Sequence, residues 1–185
     1  MPLPVSVERE ELHLRQIAMK AYKRQDGLYD IEARVTDTKT APFSAPLSVQ
    51  PLAPGLPVHD LWIRLVIDDT MLIHDAIASS DATPFAVCKE APGTLSVLIG
   101  ERIGSGWNKI VRDRLKGAAG CTHLMELLSP MATTALQALW PVRQTRPAKV
   151  DANGRPVKVD SCYAYSAERE VVKVLWPEHY TGKKA

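Results

Sequence analysis

The sequence predicts an α+β fold, with an antiparallel sheet of four or more strands and two or three helices packed on one face of the sheet. Apolar and polar residues alternate along segments in the first half of the chain, which is the pattern of half-buried strands. Apolar residues at spacings of three and four follow in the middle, as in amphipathic helices. With 185 residues the chain has the size of one domain, and we expect residues 1–185 to form a single domain.

An N-terminal β-hairpin is predicted over residues 8–40. Two strand-like runs flank Asp26-Gly27, and Asp-Gly between such runs is a strong turn signal. Five prolines follow within residues 41–57. Because proline fixes φ and removes a backbone donor, this proline-rich segment is predicted to be a connecting loop.

The central segment, residues 58–140, is predicted to hold two further strands and the helices. Apolar residues at every second position over 61–67 indicate a half-buried strand. An amphipathic helix is predicted over 105–115, and a longer one over about 122–139 that Pro130 should kink or split.

The last part of the chain, residues 145–177, is predicted to be a β appendage. Asn153-Gly154 is a turn signal between two runs that contain valine, and the valine-rich run 171–175 has the composition of a further strand. The sequence therefore predicts further strands after the helical middle of the chain.

The composition excludes several classes of protein. The net charge is only +2 and no long basic block occurs, so nucleic-acid binding is not expected. Unbroken apolar runs are far shorter than the ~20 residues of a membrane span. The N-terminus lacks the basic and apolar regions of a signal peptide, and we expect a cytoplasmic protein.

The three cysteines are Cys88, Cys121 and Cys162, and because they are widely spaced without a CxxC pair, no disulfide framework is expected. Cys121 follows Gly120 at the predicted start of the long helix, where unpaired N–H groups and the helix dipole favour a thiolate. Cys121 is therefore a candidate nucleophile or persulfide acceptor, with His123 as a candidate neighbour in the site. Inert burial of Cys121 is the alternative.

Asp60 and Cys88 are further candidates. Asp60 lies at the start of a predicted strand, beside His59 and the proline-rich loop, and functional residues are often found at such loop junctions. Cys88 lies where the predicted sheet passes into the helical half, beside Lys89. A solvated carboxylate and a buried structural thiol are the alternatives for the two residues.

The sequence contains the segments Leu12–Arg15, Arg24–Asp30, His59–Leu61 and Gly120–Glu126, together with Cys88. In these residues the chain resembles, over nearly its whole length, the bacterial domain-of-unknown-function family 2889. Residues 58–128 also resemble, more distantly, the IscU/NifU/SufU iron–sulfur scaffold family. That family has an aspartate at a strand start, a middle cysteine, and a last cysteine that opens a helix. The second resemblance implies an IscU/SufU-like core.

The scaffold resemblance also implies a metal site. Asp60 matches the aspartate of that family's motif, Cys88 its middle cysteine and Cys121 its last cysteine, whereas Val58 stands at the position of the first cysteine. The fourth ligand then has to come from elsewhere. Its candidates are His59, His123, Cys162 and water. Zinc or iron accepts such a mixture of sulfur, nitrogen and oxygen ligands.

The leading hypothesis is therefore a metal- or sulfur-handling protein that binds zinc or iron through Asp60, Cys88, Cys121 and His123. Two alternatives stay open. One is a metal-free cysteine-dependent enzyme in which His123 or His59 activates Cys121. The other is a non-enzymatic accessory or binding domain with buried structural cysteines. Such a domain would use the proline-rich loop and the C-terminal strands to bind a protein partner.

Overall fold

A computed structural model describes residues 3–147 and 149–182. Contacts divide the chain after Trp140 into two compact units, where the sequence predicted one domain. Residues 1–2, Ala148 and residues 183–185 lie outside the described residues. Ala148 belongs to the predicted β appendage. No helix in the described ranges is long and apolar enough to cross a membrane.

The first unit contains a four-stranded antiparallel sheet in which the strands lie side by side in chain order. The strands are β1 (His13–Lys23), β2 (Tyr29–Lys39), β3 (Pro57–Ile67) and β4 (Ile73–Ala82). The predicted Asp26-Gly27 turn joins β1 to β2. Gly27 has a φ of 87°, which glycine adopts without strain, and the Asp26 carboxylate accepts a hydrogen bond from the Leu28 N–H at 3.2 Å.

Helices follow the sheet in the chain, so the α+β prediction is confirmed. They are a 3₁₀ helix (Ala86–Leu98), α1 (Trp107–Leu115), a 3₁₀ turn (Gly117–Ala119) and α2 (Thr122–Ala138). A further four-residue helix, α3 (Trp140–Arg143), begins at the end of the first unit. The long helix α2 continues through Pro130, where the sequence predicted a kink or split. Pro130 is exposed, so the Glu126 carbonyl that loses its usual donor lies on the solvent side of α2.

A single hydrophobic core fills the space between the sheet and these helices. It combines alternate residues of β2 and β3 with the apolar stripe of α2. Its members include Ile31, Ala33, Val35, Leu61, Ile63, Leu65, Leu124, Leu127, Leu128 and Met131. Burial of each leucine or isoleucine contributes about 1.5–3 kcal/mol, so this interface fixes α2 against the sheet.

The second unit begins at Pro141 and differs from the predicted β appendage. Its described residues form the helix α4 (Glu170–Leu175), two 3₁₀ turns (Tyr163–Tyr165 and Pro177–His179) and one isolated bridge between Val150 and Pro156. Only Val172 of the valine-rich run is buried, against Val159 and Ala167. The predicted strand is a helix in the structure. The other residues of the run are exposed, so they lack the cross-strand packing on which the strand preference of valine depends.

Candidate functional site

One polar cluster interrupts the apolar interface between the sheet and α2. We call it the Asp37 cluster, and it comprises His13, Arg15, Asp37, His59, His123 and Glu126. The strand register places Arg15 opposite Asp37, and Asp37 opposite His59. Side chains that lie directly opposite each other on one sheet face have Cβ atoms about 4.5–5.5 Å apart. The cluster therefore follows from the register of three strands and the position of α2 above them.

Asp37 is the centre of the cluster and is only 1% exposed. Arg15 binds it with two hydrogen bonds of 2.8 Å, from Nε to Oδ1 and from a terminal nitrogen to Oδ2. His13 Nε2 lies 3.1 Å from Oδ1, and His59 Nδ1 lies 3.0 Å from Oδ2. Each carboxylate oxygen thus has two partners, which accounts for all of the roughly four lone-pair sites of a carboxylate.

Asp37 is ionised at neutral pH. Burial raises the pKa of this carboxyl group, but the hydrogen bonds and charge of Arg15, with the charges of His59 and His13, lower it from 3.8 to about 2. An ionised carboxylate only accepts hydrogen bonds, so His13 Nε2 and His59 Nδ1 must both carry protons and donate. In neutral His59 the other ring nitrogen, Nε2, then has a free lone pair.

His123 of α2 lies against His59. The centroids of the two imidazole rings are 3.9 Å apart and the ring planes are inclined by 32°. Burial lowers the pKa of His59 below its usual 6.5 and His123 lowers it further, against the opposing effect of Asp37. His59 is therefore neutral at pH 7, which is the form that accepts a proton or binds a metal ion.

Arg15 connects the sheet to α2. Besides its two bonds to Asp37, it donates a hydrogen bond of 2.5 Å to Glu126 Oε2. The hydrogen bond to Asp37 raises the pKa of Arg15 above its ordinary value, so the guanidinium stays charged. One cation thus holds a buried carboxylate from the sheet and an exposed carboxylate from the helix that carries His123.

Asp37, His59 and His123 together could hold a metal ion. One ligand atom from each residue lies within 4.8 Å of the other two. Within residues 3–147 and 149–182, no other group of three or more His, Cys, Asp and Glu side chains meets this distance criterion. Two imidazoles and one carboxylate are donors that zinc and ferrous iron both accept.

Of the ligands predicted from sequence, the structure places Asp60 away from this cluster. Successive side chains of a strand point to opposite faces, so Asp60 faces away from α2 while His59 faces toward it. Asp60 accepts two hydrogen bonds from Arg34, at 2.8 and 2.7 Å, and Arg34 in turn lies over the ring of Trp62. Asp60 thus forms an ion pair on the outer face of the sheet.

The three cysteines are not brought together either. Cys88 is half-buried in the 3₁₀ helix that follows β4, and Cys162 is exposed in the second unit. Cys121 directly precedes α2, as predicted, and packs partly buried against the core. All three are free thiols, and none belongs to a group of potential metal ligands among the described residues. Only His59 and His123 of the predicted ligands meet in one site.

The sequence analysis missed Asp37, although the strand pattern contains a signal for it. Ile31, Ala33 and Val35 alternate along the core-facing side of β2, and Asp37 occupies the next position of the same series. A charged residue on an apolar strand face needs a partner. The same parity places His59 on the apolar face of β3, although the candidate chosen from that strand was Asp60.

The fold and the site define an α+β protein with an Asp–His–His cluster, centred on a buried aspartate, between one end of its sheet and a helix. The chain belongs to the family described as protein of unknown function, DUF2889, whose model matches residues 13–137. This match contains the whole Asp37 cluster and ends before the second unit. No curated protein and no solved structure matches the chain significantly. The resemblance to the scaffold family and the cytoplasmic location stay predictions.

Proposed function

We propose that this protein binds a divalent transition-metal ion, zinc or ferrous iron, through Asp37, His59 and His123. The observation that carries the proposal is the convergence of three ligand atoms, from β2, β3 and α2, within 4.8 Å of one another. The proposal keeps the metal-handling function expected from the sequence but changes its ligands. Asp37 replaces Asp60, His123 is kept from the predicted set, and His59, a candidate for the fourth ligand, takes the place of the two thiolates.

The three side chains can bind a metal ion only if Asp37 gives up one of its present hydrogen bonds. The lone-pair sites of Asp37 are already taken by Arg15, His13 and His59, so a metal ion on Asp37 must displace one hydrogen bond. His59 is the partner that can give way: with its proton on Nε2 instead of Nδ1, the imidazole stays neutral and Nδ1 would be free to bind a metal ion. Asp37 and His59 would then hold the metal ion together with His123, while Arg15 continues to bind the Asp37 carboxylate.

The chain's own residues prepare this site. Arg15 keeps Asp37 ionised and fixes both of its oxygens, and His13 contacts the oxygen that faces away from His59. Such hydrogen bonds to a metal ligand restrict its orientation and tune its affinity. A metal ion with three protein ligands leaves positions open, where it would polarise a bound water or a substrate oxygen.

Equilibrium dialysis of chelator-treated protein against zinc and, anaerobically, against ferrous iron tests the proposal. We expect about one ion per chain for the wild type, and a loss of affinity of about tenfold or more for His123→Ala, which removes a direct ligand. The matched control is His74→Ala, because His74 also contacts a carboxylate, that of Asp68, but lies outside the cluster. Zinc binding unaffected by His123→Ala would contradict the proposal.

The iron–sulfur hypothesis requires different residues and is tested separately. Anaerobic reconstitution with ferrous iron and sulfide produces the visible absorption of a cluster only where thiolates ligate it. We expect no such absorption, and we expect the Cys88→Ser/Cys121→Ser double variant to bind zinc as the wild type does. Loss of zinc in that double variant would favour Asp60 and the two thiolates as ligands.

A second candidate function is proton transfer without a metal ion. The contact between Asp37 and His59 Nδ1 supports it, because it leaves Nε2 free, as in a carboxylate–imidazole pair that acts as a general base. Cys121, two residues before His123 and directly before α2, is the candidate nucleophile. An alkylating thiol reagent at neutral pH should then label Cys121 faster in wild-type protein than in the His59→Gln variant. Equal rates would exclude activation of Cys121 by His59.

A further inference from the structure

The strand β1 forms an open edge of the sheet. It pairs only with β2, and within residues 3–147 and 149–182 no other strand lies on its far side. All eleven of its residues are exposed or half-exposed, including three apolar side chains, Leu14 (40%), Ile17 (45%) and Tyr22 (46%). An edge of this length with apolar side chains is a template for pairing with another strand.

The residues that offer backbone groups to this edge can be identified. The Arg24 N–H donates a hydrogen bond of 2.9 Å to the Leu28 carbonyl at the hairpin end. The backbone N–H and C=O groups of Arg24 therefore point toward the β2 side of the hairpin. Pairs in an antiparallel ladder alternate between hydrogen-bonded and non-hydrogen-bonded. The odd-numbered residues of β1 therefore direct their N–H and C=O groups to the open edge, while the even-numbered residues bond to β2.

The sequence of β1 is complementary to itself in one register. With the two-fold axis at Ala18, all eleven residues of β1 are paired with their equivalents in a second antiparallel copy. The pairs are His13 with Lys23, Leu14 with Tyr22, Arg15 with Ala21, Gln16 with Lys20, Ile17 with Met19, and Ala18 with itself. The large apolar residues pair with each other, Leu14 with Tyr22 and Ile17 with Met19, and no two lysine or arginine residues lie opposite each other.

Neighbouring registers are less favourable. An axis at Met19 would place Arg15 opposite Lys23, and an axis at Lys20 would place two lysines opposite each other. An axis at Ile17 would leave the end of β1 at Lys23 without a partner in the strand. Opposed like charges destabilise a strand pair, and unpaired ends reduce the number of hydrogen bonds.

We propose that the open edge of β1 binds a second copy of this chain, by antiparallel β1–β1 pairing about Ala18. The result is a dimer with a continuous eight-stranded sheet. Pairing of this kind is isologous, so it closes after two copies and leaves β1 with no free edge. The proposal is independent of metal binding, because it uses the backbone edge of β1 and not the ligands of the Asp37 cluster.

A disulfide at the axis tests the register. Residues in a non-hydrogen-bonded pair have Cα atoms about 4.5 Å apart, which lies within the range of about 4.4–6.8 Å that a disulfide spans. We expect Ala18→Cys, in a background with Cys88, Cys121 and Cys162 changed to serine, to form a disulfide-linked dimer under mild oxidation. Gln16→Cys is the matched control, because its two copies lie about 13 Å apart along the strands in this register.

Sedimentation velocity tests the pairing without cysteine. The wild type is expected to show a species of twice the chain mass of 20.4 kDa. Ile17→Pro removes an N–H that faces the open edge and none that bonds to β2, so the monomer should still fold, as circular dichroism can verify. It should raise the dimer dissociation constant by about tenfold or more, since two symmetric hydrogen bonds are lost.

Ile17→Ala is the control for the loss of the side chain, since it keeps the N–H and should stay dimeric. A wild-type chain that sediments as a monomer up to its solubility limit would overturn the proposal. So would a dimer in which Gln16→Cys cross-links as fast as Ala18→Cys, because the two chains would then pair elsewhere or in another register.

Discussion

The substitution Asp37→Asn tests the centre of the cluster. It keeps the shape of the side chain, removes its charge, and replaces one acceptor oxygen by an NH₂ group that only donates. Arg15, His13 and His59 all donate to this residue, so two donors would face each other in the variant. We expect the folded state to lose stability without a change of fold.

The size of the effect follows from the pKa of Asp37, which the fold lowers from 3.8 to about 2. At 1.36 kcal/mol per pKa unit, the ionised carboxylate contributes roughly 2 kcal/mol more than its neutral form. The opposed donors of the asparagine add to this loss. The expected cost of Asp37→Asn at neutral pH is therefore about 2–4 kcal/mol.

Urea denaturation at a series of pH values measures the effect, with a chelator present so that metal binding does not contribute. Because the pKa is lower in the folded state, the stabilisation is complete above pH 3.8 and is lost as the pH falls through about 2. The difference between wild type and variant should shrink by about 1 kcal/mol by about pH 3. Other carboxylates titrate in both proteins and cancel in the comparison.

The control for this experiment is Asp60→Asn, which breaks the part-buried ion pair with Arg34 on the other face of the sheet. Arg34 is 42% exposed, so water screens this pair more than the Asp37 cluster, and its loss should cost about 1–2 kcal/mol. A difference between wild type and Asp37→Asn that does not change with pH, or a cost no larger than that of Asp60→Asn, would refute the reasoning about the buried carboxylate.

Two further predictions concern packing and use the same urea assay. Leu127→Ala should lower the free energy of unfolding by about 2–5 kcal/mol, because Leu127 is fully buried in the core. Leu136→Ala on the same helix should lower it by less than about 1 kcal/mol, because Leu136 is exposed. Equal losses would show that α2 does not pack as described. Gly120→Ala should lower the free energy of unfolding by about 1–3 kcal/mol, since the new Cβ would lie 2.6 Å from the Leu115 carbonyl oxygen. Gly93→Ala, with no atom within 4 Å of its Cβ, should lower it less. A larger loss for Gly93→Ala than for Gly120→Ala would contradict the close approach.

Local patterns were sufficient to predict much of the first unit. The Asp26-Gly27 turn and the alternation over 61–67 depend on neighbouring residues, and both agree with the structure. The start of α2 after Cys121 also agrees. The helix over 171–175 was missed because valine favours strands on average, while the local core of the second unit determines its conformation.

The site was only partly predictable, because its members are far apart in sequence. Asp37 and His59 meet through the register of β2 and β3 across a long loop, and the two strands shift register directly after Asp37. His123 reaches them from α2, 64 positions after His59. No spacing rule joins such residues. The alternation of side chains along a strand does identify the face on which each residue lies. It places His59 on the core-facing side of β3 and Asp60 on the opposite side.

The most direct test of the metal site is the anomalous scattering of a crystal of the chelator-treated protein soaked in zinc. We predict one strong peak among Asp37, His59 and His123, with an aspartate oxygen and two imidazole nitrogens at about 2.0–2.2 Å. A peak on Cys88, Cys121 or Asp60, or a map without a peak at the Asp37 cluster, would contradict the proposed metal-binding function.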